Sequence, residues 1–272
     1  MEKLIITVAP NAHPAKLDAH PELPRTPDQI AAEVIAACKA GAAVAHLHVV
    51  DERGYATEDL SAFRSTIWQI RNGCDIVIEG STGGMSDLGP AGRCVALQAD
   101  IELASLNPGS VNYDESVYLN SPSDIDYWVQ QMQKRGIKPA IAVFDSAFIA
   151  NAMEYIRQGL IATPALFNFV LGLRGAIPAE PRTMVFLSES LPADSFWGVI
   201  GYADCSLITS VWSLSMGGHA RAGFEDNFEY LPGQPARSNA QLVERLVRIS
   251  REVGREVATP SEARQMLRLP AR

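Results

Sequence analysis

The sequence predicts a (β/α)8 TIM barrel, because short apolar runs alternate with longer amphipathic segments along all 272 residues. Eight such strand–helix units in a chain of this length match the number that the barrel requires. A doubly wound open sheet is the alternative fold, since periodicity alone does not show whether a sheet closes. No linker or internal repeat interrupts the alternation, so we expect one TIM-barrel domain over residues 1–272.

The apolar runs and the segments between them define the elements in order. The predicted strands are Leu4–Ala9, Ala43–Val49, Asp75–Ser81, Ile101–Leu106, Pro139–Phe144, Leu166–Leu171, Trp197–Tyr202 and His219–Gly223. The helical patterns begin near Pro27, Asp59, Gly92, Ser123, Ser146, Pro181, Ser206 and Asn239. Before the first helix, Thr26 supplies a capping hydroxyl, Pro27 fits the first helical position and Gln29 completes a capping box. The same pattern at Thr259-Pro260-Ser261-Glu262 predicts a short helical tail from about residue 259.

Composition and charge narrow the class of protein. The chain is 47% hydrophobic and 20% charged, which is ordinary for a globular protein, and its net charge of -8 lacks the basic footprint of a nucleic-acid binder. No apolar run is long enough to span a bilayer, and Pro10 ends the first one too early for a secretory signal. The four cysteines are far apart and form no CxxC pair, which favours reduced thiols. We therefore expect a cytoplasmic protein without a membrane or nucleic-acid partner.

Two histidines stand one residue apart near the end of the second predicted strand. Alternate residues of a strand share a face, so His46 and His48 point the same way. Barrel enzymes keep their chemistry at the carboxyl ends of the strands, and neutral imidazoles are common zinc ligands. The HxH pattern alone fits two hydrogen-bonded structural histidines equally well.

Other strand ends carry polar residues as well. Ser81 opens a hydroxyl- and glycine-rich segment after the third strand, which suits an anion but also suits a simple glycine turn. Ser105 and Asn107 share a face at the end of the fourth strand, where a polar turn is the plainer interpretation.

A dense charge cluster follows the eighth predicted strand. Arg221, Glu225 and Asp226 lie where a buried apolar strand ends. They fit a salt-bridged rim, but a carboxylate here would also supply the third protein ligand of a catalytic zinc site. A second carboxylate beside an arginine would then serve as a base.

Ten short segments in order, spread over nearly the whole chain, resemble one family, the β-keto acid cleavage enzymes. They are Ile6-Thr7-Val8-Ala9, Leu23-Pro24-Arg25-Thr26-Pro27, Ala40-Gly41-Ala42, His46-Leu47-His48, Ser81-Thr82-Gly83-Gly84, Ala104-Ser105-Leu106-Asn107, Phe169-Val170-Leu171-Gly172, Gly217-Gly218-His219, Gly223-Phe224-Glu225-Asp226-Asn227 and Ser238-Asn239-Ala240. The fold of that family agrees with the predicted barrel. The resemblance implies a reaction between a β-keto acid and acetyl-CoA that yields acetoacetate and a new acyl-CoA.

The resemblance also implies roles for named residues. It implies a zinc ion held by His46, His48 and Glu225, which polarises the substrate keto group. Asp226, positioned by Arg221, matches the base that takes a proton from the carbon between keto group and carboxylate. The substrate-holding positions are matched by Ser81, Ser105 and Asn107. The family further implies a homo-oligomer, a tetramer.

Three departures from the family pattern bear on the substrate. Val50 replaces a frequent arginine, Pro14 stands where members that act on amines carry a glutamate, and Ala142 replaces an acidic residue common in the fifth strand. Since an ammonium group without partners is costly to bury, we expect a neutral or weakly polar substrate tail. His13 fits either a contact to such a tail or a surface position, and Glu79, Tyr202 or Asp204 could rebuild a polar site.

Two other functions fit the sequence. A metal-dependent aldolase or hydrolase on the same barrel would share the zinc site and need no CoA. A non-catalytic barrel would leave the cluster of Arg221, Glu225 and Asp226 without a purpose. The zinc content and the dependence of turnover on acetyl-CoA separate these possibilities.

Overall fold

The computed structural model describes residues 2–11, 20, 22–51, 53–83, 88–113 and 115–270. Parallel strands close into an eight-stranded barrel in which each strand pairs with its neighbour in sequence. The strands are β1 (Ile6–Val8), β2 (Val44–Leu47), β3 (Val77–Gly80), β4 (Leu103–Leu106), β5 (Lys138–Val143), β6 (Ala165–Leu171), β7 (Ser195–Gly201) and β8 (His219–Ala222). Pairing of β1 with β8, Ile6 beside Ala220, closes the ring. The closure confirms the predicted TIM barrel and excludes the open sheet.

Helices follow the strands and cover the outside of the barrel. They are α1 (Pro27–Ala40), α2 (Leu60–Gly73), α3 (Pro90–Arg93), α4 (Pro122–Arg135), α5 (Ser146–Arg157), α6 (Pro181–Glu189), α7 (Ser206–Ser215), α8 (Asn239–Glu252) and α9 (Pro260–Met266). The predicted third helix is wrong in extent, because α3 has four residues and a 3-10 turn, Val95–Gln98, follows it. In this turn Ala96 packs so closely on Gly80 that a side chain there would clash. Within the described chain, no helix combines the length and apolarity needed to cross a membrane.

The carboxyl ends of the strands carry irregular extensions that the sequence pattern did not reveal. Strand β2 ends at Leu47, so His48 lies just beyond it, and Val49–Val50 pairs instead with Ala56–Thr57 in a small antiparallel hairpin. After β4, Val111–Tyr113 pairs with Ser116–Tyr118 in a second hairpin. The second hairpin extends the wall of the barrel on the side of the predicted site.

The main apolar layer lies between the barrel and the helices. Outward-facing Phe167 and Phe169 of β6 are fully buried, as are Phe63 of α2 and Trp128 of α4. Burying a large apolar side chain contributes about 1.5–3 kcal/mol, so this layer supplies much of the stability of the fold. Because this outer layer supplies that stability, side chains that point into the barrel can be polar.

The amino-terminal end of the barrel is closed. Helix α9 begins at the capping box of Thr259 and Glu262, as the sequence pattern indicates. Leu267, directly after this helix, reaches the apolar residues at the bottom of the barrel, and Arg264 binds the buried carboxylate of Glu102. Access to the barrel interior is thus at the opposite, carboxyl end.

We expect Gly223→Ala to destabilise the fold more than Gly217→Ala. Both glycines have positive φ, +148° and +90°, and such a backbone costs about 1–2 kcal/mol for an L-residue. A methyl group at Gly223 would also overlap the carbonyl of Ala9, whereas nothing lies within 4 Å at Gly217. Urea unfolding of both variants measures the difference, and equal losses would show that the contact with Ala9 relaxes freely.

Candidate active site

A cavity of about 360 Å³ opens at the carboxyl ends of the strands. Side chains from β2, β3, β4 and β8 form one half of its lining, and side chains from β5, β6 and β7 form the other. The β4 hairpin adds Tyr113 and Tyr118 to the wall. This is the end of the barrel at which βα-barrel enzymes carry their chemistry.

His46, His48 and Glu225 converge in this cavity. The Nε2 atom of His46 lies 3.7 Å from Oε2 of Glu225, and the Nε2 atom of His48 lies 3.6 Å from Oε1. One donor atom from each of the three residues lies within 4.8 Å of the others. These distances are too long for hydrogen bonds and close to the roughly 3.3 Å between ligand atoms of a tetrahedral zinc site. The three residues could therefore hold a metal ion.

Glu79 fixes the orientation of His46 from inside the barrel. Its Oε1 lies 2.7 Å from Nδ1 of His46, and both side chains are nearly inaccessible to solvent. A histidine that donates from Nδ1 to a carboxylate presents an unprotonated Nε2 for metal binding. Oε2 of Glu225 is buried and has no hydrogen-bond partner within the described residues, so this oxygen remains available as a metal ligand.

Arg221 holds both carboxylates that follow β8. Its Nη2 donates to Glu225 at 2.7 Å and to Asp226 at 2.6 Å, and its Nε donates to Asp226 at 2.8 Å. Burial alone would raise the pKa of Glu225, but the charges of Arg221, His46 and His48 hold that pKa well below its ordinary value. Glu225 is therefore an anion, as a metal ligand must be.

Asp226 lies behind Arg221 and not on the cavity surface. Its side chain is fully buried, and the guanidinium of Arg221, which lines the cavity, separates it from that space. Burial raises the pKa of Asp226 above its ordinary value, although Arg221 opposes the shift. The carboxylate is thus a better proton acceptor than a free aspartate, but a substrate cannot touch it in this arrangement.

The three residues with a predicted substrate-holding role all line the cavity. Ser81 follows β3, where its Oγ accepts a hydrogen bond from the amide of Gly83 at 3.1 Å. Ser105 of β4 accepts from the amide of Thr82 at 2.9 Å, which joins the ends of the two strands. The Nδ2 atom of Asn107 lies 3.3 Å from the hydroxyl of Tyr118. The structure thus brings together every described residue that the sequence assigned to the site, apart from the recessed Asp226.

The three positions that depart from the family pattern do not all lie in the cavity. Ala142 of β5 lines the cavity, where it can affect the choice of substrate tail. Val50 is buried in the apolar core and does not line the cavity, so it does not contact a substrate directly. Pro14 and His13 lie outside the described residues, as does Gly84.

Tyr118 and Asn168 are cavity residues that sequence reasoning missed. Arg93, buried beneath Tyr118, donates to its hydroxyl at 2.9 Å. Burial raises the pKa of Tyr118 to about 12 against the opposing charge of Arg93, so its hydroxyl remains protonated. Asn168 projects from the middle of β6. A polar residue within the apolar run Ala165–Leu171 was the available signal for Asn168; the hairpin position of Tyr118 had no comparable signal.

The closed barrel and the polar cavity at its carboxyl end define an enzyme of the TIM-barrel class. The family model described as beta-keto acid cleavage enzyme matches residues 3–269, and the chain belongs to this family. This membership confirms the resemblance found in the sequence and the class of enzyme that it implied, a carbon–carbon cleavage transferase.

Individual relatives agree with this assignment. The chain is 41% identical over 271 residues to a 3-keto-5-aminohexanoate cleavage enzyme of Fusobacterium nucleatum, covering 99% of each chain. It is 34% identical to a 3-oxoadipate:acetyl-CoA acetyltransferase of Cupriavidus necator, covering 98% of this chain and 95% of that one. Among solved structures, apo ObcA superposes with a TM-score of 0.77 at 20% identity, over 92% of this chain and 66% of that chain. The last similarity supports the fold alone.

Proposed function

We propose that the protein is a zinc-dependent enzyme that converts a β-keto acid and acetyl-CoA into acetoacetate and a new acyl-CoA. The convergence of His46, His48 and Glu225 beside the Arg221–Asp226 pair carries this proposal. Family membership supplies the reaction class, and the name of the Cupriavidus relative supports acetyl-CoA as the second substrate.

The donor set fits zinc. Two imidazole nitrogens and one carboxylate oxygen form a typical catalytic zinc set, which leaves a position open for substrate. The contact between Glu79 and His46 supplies the carboxylate–histidine pairing that such sites use, and Arg221 keeps Glu225 ionised. When bound, zinc would polarise the substrate keto group and make the protons on the neighbouring carbon more acidic.

The chain passes that proton to Asp226, which Arg221 positions. We propose that Asp226 is the base; because the guanidinium of Arg221 lies between Asp226 and the cavity and has no lone pair to accept a proton, the Arg221 side chain must shift aside for the substrate carbon to reach the carboxylate. The raised pKa of Asp226 favours its role as the final acceptor. The proton therefore leaves the cavity and rests on a buried carboxylic acid, and the guanidinium keeps its charge.

The remaining bond changes follow from that deprotonation. The substrate carbon attacks the thioester carbonyl of acetyl-CoA, and the CoA thiolate leaves. The CoA thiolate then attacks the original keto carbon, which breaks the bond to the central carbon and gives acyl-CoA; the central carbon takes back the proton held by Asp226 and leaves as acetoacetate. Donors from Ser81, Ser105 and Asn107 would hold the substrate carboxylate and carbonyl oxygens during both steps.

A screen of β-keto acids with acetyl-CoA tests the proposed reaction. Both acetoacetate and the acyl-CoA should form, in equal amounts, and only when acetyl-CoA is present. Product formed at the same rate without acetyl-CoA would favour an aldolase or a hydrolase on the same barrel.

Glu225→Gln should lose most of the bound zinc that the wild-type chain carries. The amide removes the anionic ligand and also leaves Arg221 with one fewer charged partner. Elemental analysis after dialysis should give about one zinc per wild-type chain and much less in the variant. Glu229→Gln, in the hairpin that follows, is the matched control and should retain its zinc. A zinc-free wild-type chain, or equal zinc in Glu225→Gln, would contradict the ligand assignment.

Asp226→Asn should keep the zinc and lose about 10²–10⁴-fold in turnover, since it removes a proton acceptor while nearly preserving shape. Arg221→Lys should also lose activity, because an ammonium cannot reproduce the planar fork of donors that holds both carboxylates. Asp28→Asn, at an exposed position in α1, is the control. Turnover like that of wild type in Asp226→Asn would place the base elsewhere.

A neutral or weakly polar substrate tail should be preferred over an ammonium tail. The charged residues that line the described cavity, Glu79, Arg221 and Glu225, all lie on the metal-ligand side, and Ala142 lies on the other. Burying an apolar tail contributes roughly 0.8 kcal/mol per methylene. Values of kcat/KM for matched substrates ending in a methyl or an ammonium group test this preference. Ala142→Glu should shift the ratio toward the ammonium compound.

The names of the relatives make this comparison informative. The Fusobacterium relative is named for an amino-substituted keto acid and the Cupriavidus relative for 3-oxoadipate, so the names differ in the group at the far end of the substrate. A clear preference of the wild-type chain for the ammonium compound would contradict the expectation that Pro14 and Ala142 leave such a tail without a carboxylate partner.

A further inference from the structure

Asn168 carries a polar group in the cavity that the protein itself leaves unused. The residue lies in the middle of β6, is half-buried and lines the cavity. Over the described ranges, its carboxamide takes part in no hydrogen bond or ion pair with another residue. An amide in a partly enclosed site that lacks partners favours any ligand that supplies them.

Small residues flank this amide on both neighbouring strands. In the parallel register, Asn168 lies beside Ala142 of β5 and Gly198 of β7, neither of which has a side chain beyond Cβ. A Cβ atom placed on Gly198 would lie 3.1 Å from Oδ1 of Asn168, so the amide leans over the glycine. The other cavity side chains on β5, β6 and β7 are apolar, including Val170 and Ile200, and Tyr202 adds a hydroxyl just after β7. Asn168 is thus the polar side chain within these three strands of the cavity wall.

The position of β6 in the ring determines what part of a substrate meets Asn168. Four steps separate β6 from β2 in either direction around the eight-stranded barrel, so the two strands lie on opposite sides. His46 of β2 and its partner Glu225 therefore face the wall that contains Asn168. A β-keto acid held by its keto group at the histidines, and by its carboxylate at the hydroxyl and amide donors of β3 and β4, would extend its remaining carbon chain toward that wall.

We propose that Asn168 selects β-keto acids whose chain bears a neutral hydrogen-bonding group, a hydroxyl or carbonyl, beyond the keto carbon. The proposal rests on the proposed function and narrows its substrate class. The carboxamide offers both a donor and an acceptor, so it matches either neutral group. It carries no charge, and the described residues of the β5–β7 wall add none, so an ammonium or carboxylate there would lack a counter-ion.

The test compares 3-oxohexanoate with its 5-hydroxy and 6-hydroxy derivatives. For the wild-type chain with acetyl-CoA, we expect kcat/KM for the better hydroxylated acid to exceed that for 3-oxohexanoate by about tenfold, as one added hydrogen bond allows. Asn168→Leu, similar in shape and apolar, should remove or reverse that ratio, and Asn168→Ala should reduce it. Asn72→Ala, at an exposed position on α2, is the matched control and should keep the wild-type ratio. Thermal unfolding of each variant establishes that it is folded.

Binding measurements without acetyl-CoA separate this proposal from the proposed reaction. Titration calorimetry gives the Kd of each acid when no turnover is possible. A hydroxyl preference in Kd that disappears in Asn168→Leu supports the inference even if no acyl-CoA ever forms. An unchanged ratio of kcat/KM and of Kd in folded Asn168→Leu would overturn it, as would a wild-type chain that binds none of the three acids or favours 3-oxohexanoate.

Discussion

The buried guanidinium of Arg221 is the interaction on which the site depends. Two carboxylates follow one another at the end of β8, in a region where isolated charges would be expensive. Arg221 donates to both, so Glu225 stays ionised and faces the histidines, while Asp226 is held behind the cavity wall. The positive φ of Gly223 makes this possible, because the chain can turn against Ala9 before the two carboxylates. One cation therefore fixes both the carboxylate that faces the histidines and the carboxylate that is proposed as the base.

The parts of the fold that were predictable are those that local patterning controls. Apolar runs separated by amphipathic segments indicated every barrel strand, and the capping pattern at Thr259 located α9. The convergence of His46 with Glu225 could also be anticipated, since carboxyl ends of parallel strands meet at one end of a barrel whatever their separation in sequence. Strand β2 ends at Leu47, one residue before His48, yet the ring centroids of His46 and His48 are still only 5.2 Å apart.

What could not be predicted depends on contacts between distant segments. The 3-10 turn that follows α3 places Ala96 against Gly80, a contact that no pattern within the helix reveals. The cavity position of Tyr118 requires the β4 hairpin to fold back over buried Arg93. Strand alternation also says which face a residue occupies but not how deep it lies, so it could not show that Asp226 is shielded by Arg221.

The charged and the apolar side chains of the cavity lie on opposite sides of it. Among the described residues, Glu79, Arg221 and Glu225 place charge on the side formed by β2, β3 and β8, whereas β5, β6 and β7 contribute apolar side chains and one free amide. Under the proposed function, the guanidinium of Arg221 and a metal held by His46, His48 and Glu225 would stabilise the carboxylate and the developing negative charge of a β-keto acid, and both lie on the charged side. The reacting atoms would then be confined there, and the opposite wall could change without disturbing the chemistry. Under the proposed function, substrate range would then be decided by a few inward positions on three strands, where Ala142 leaves space and Asn168 offers a polar contact.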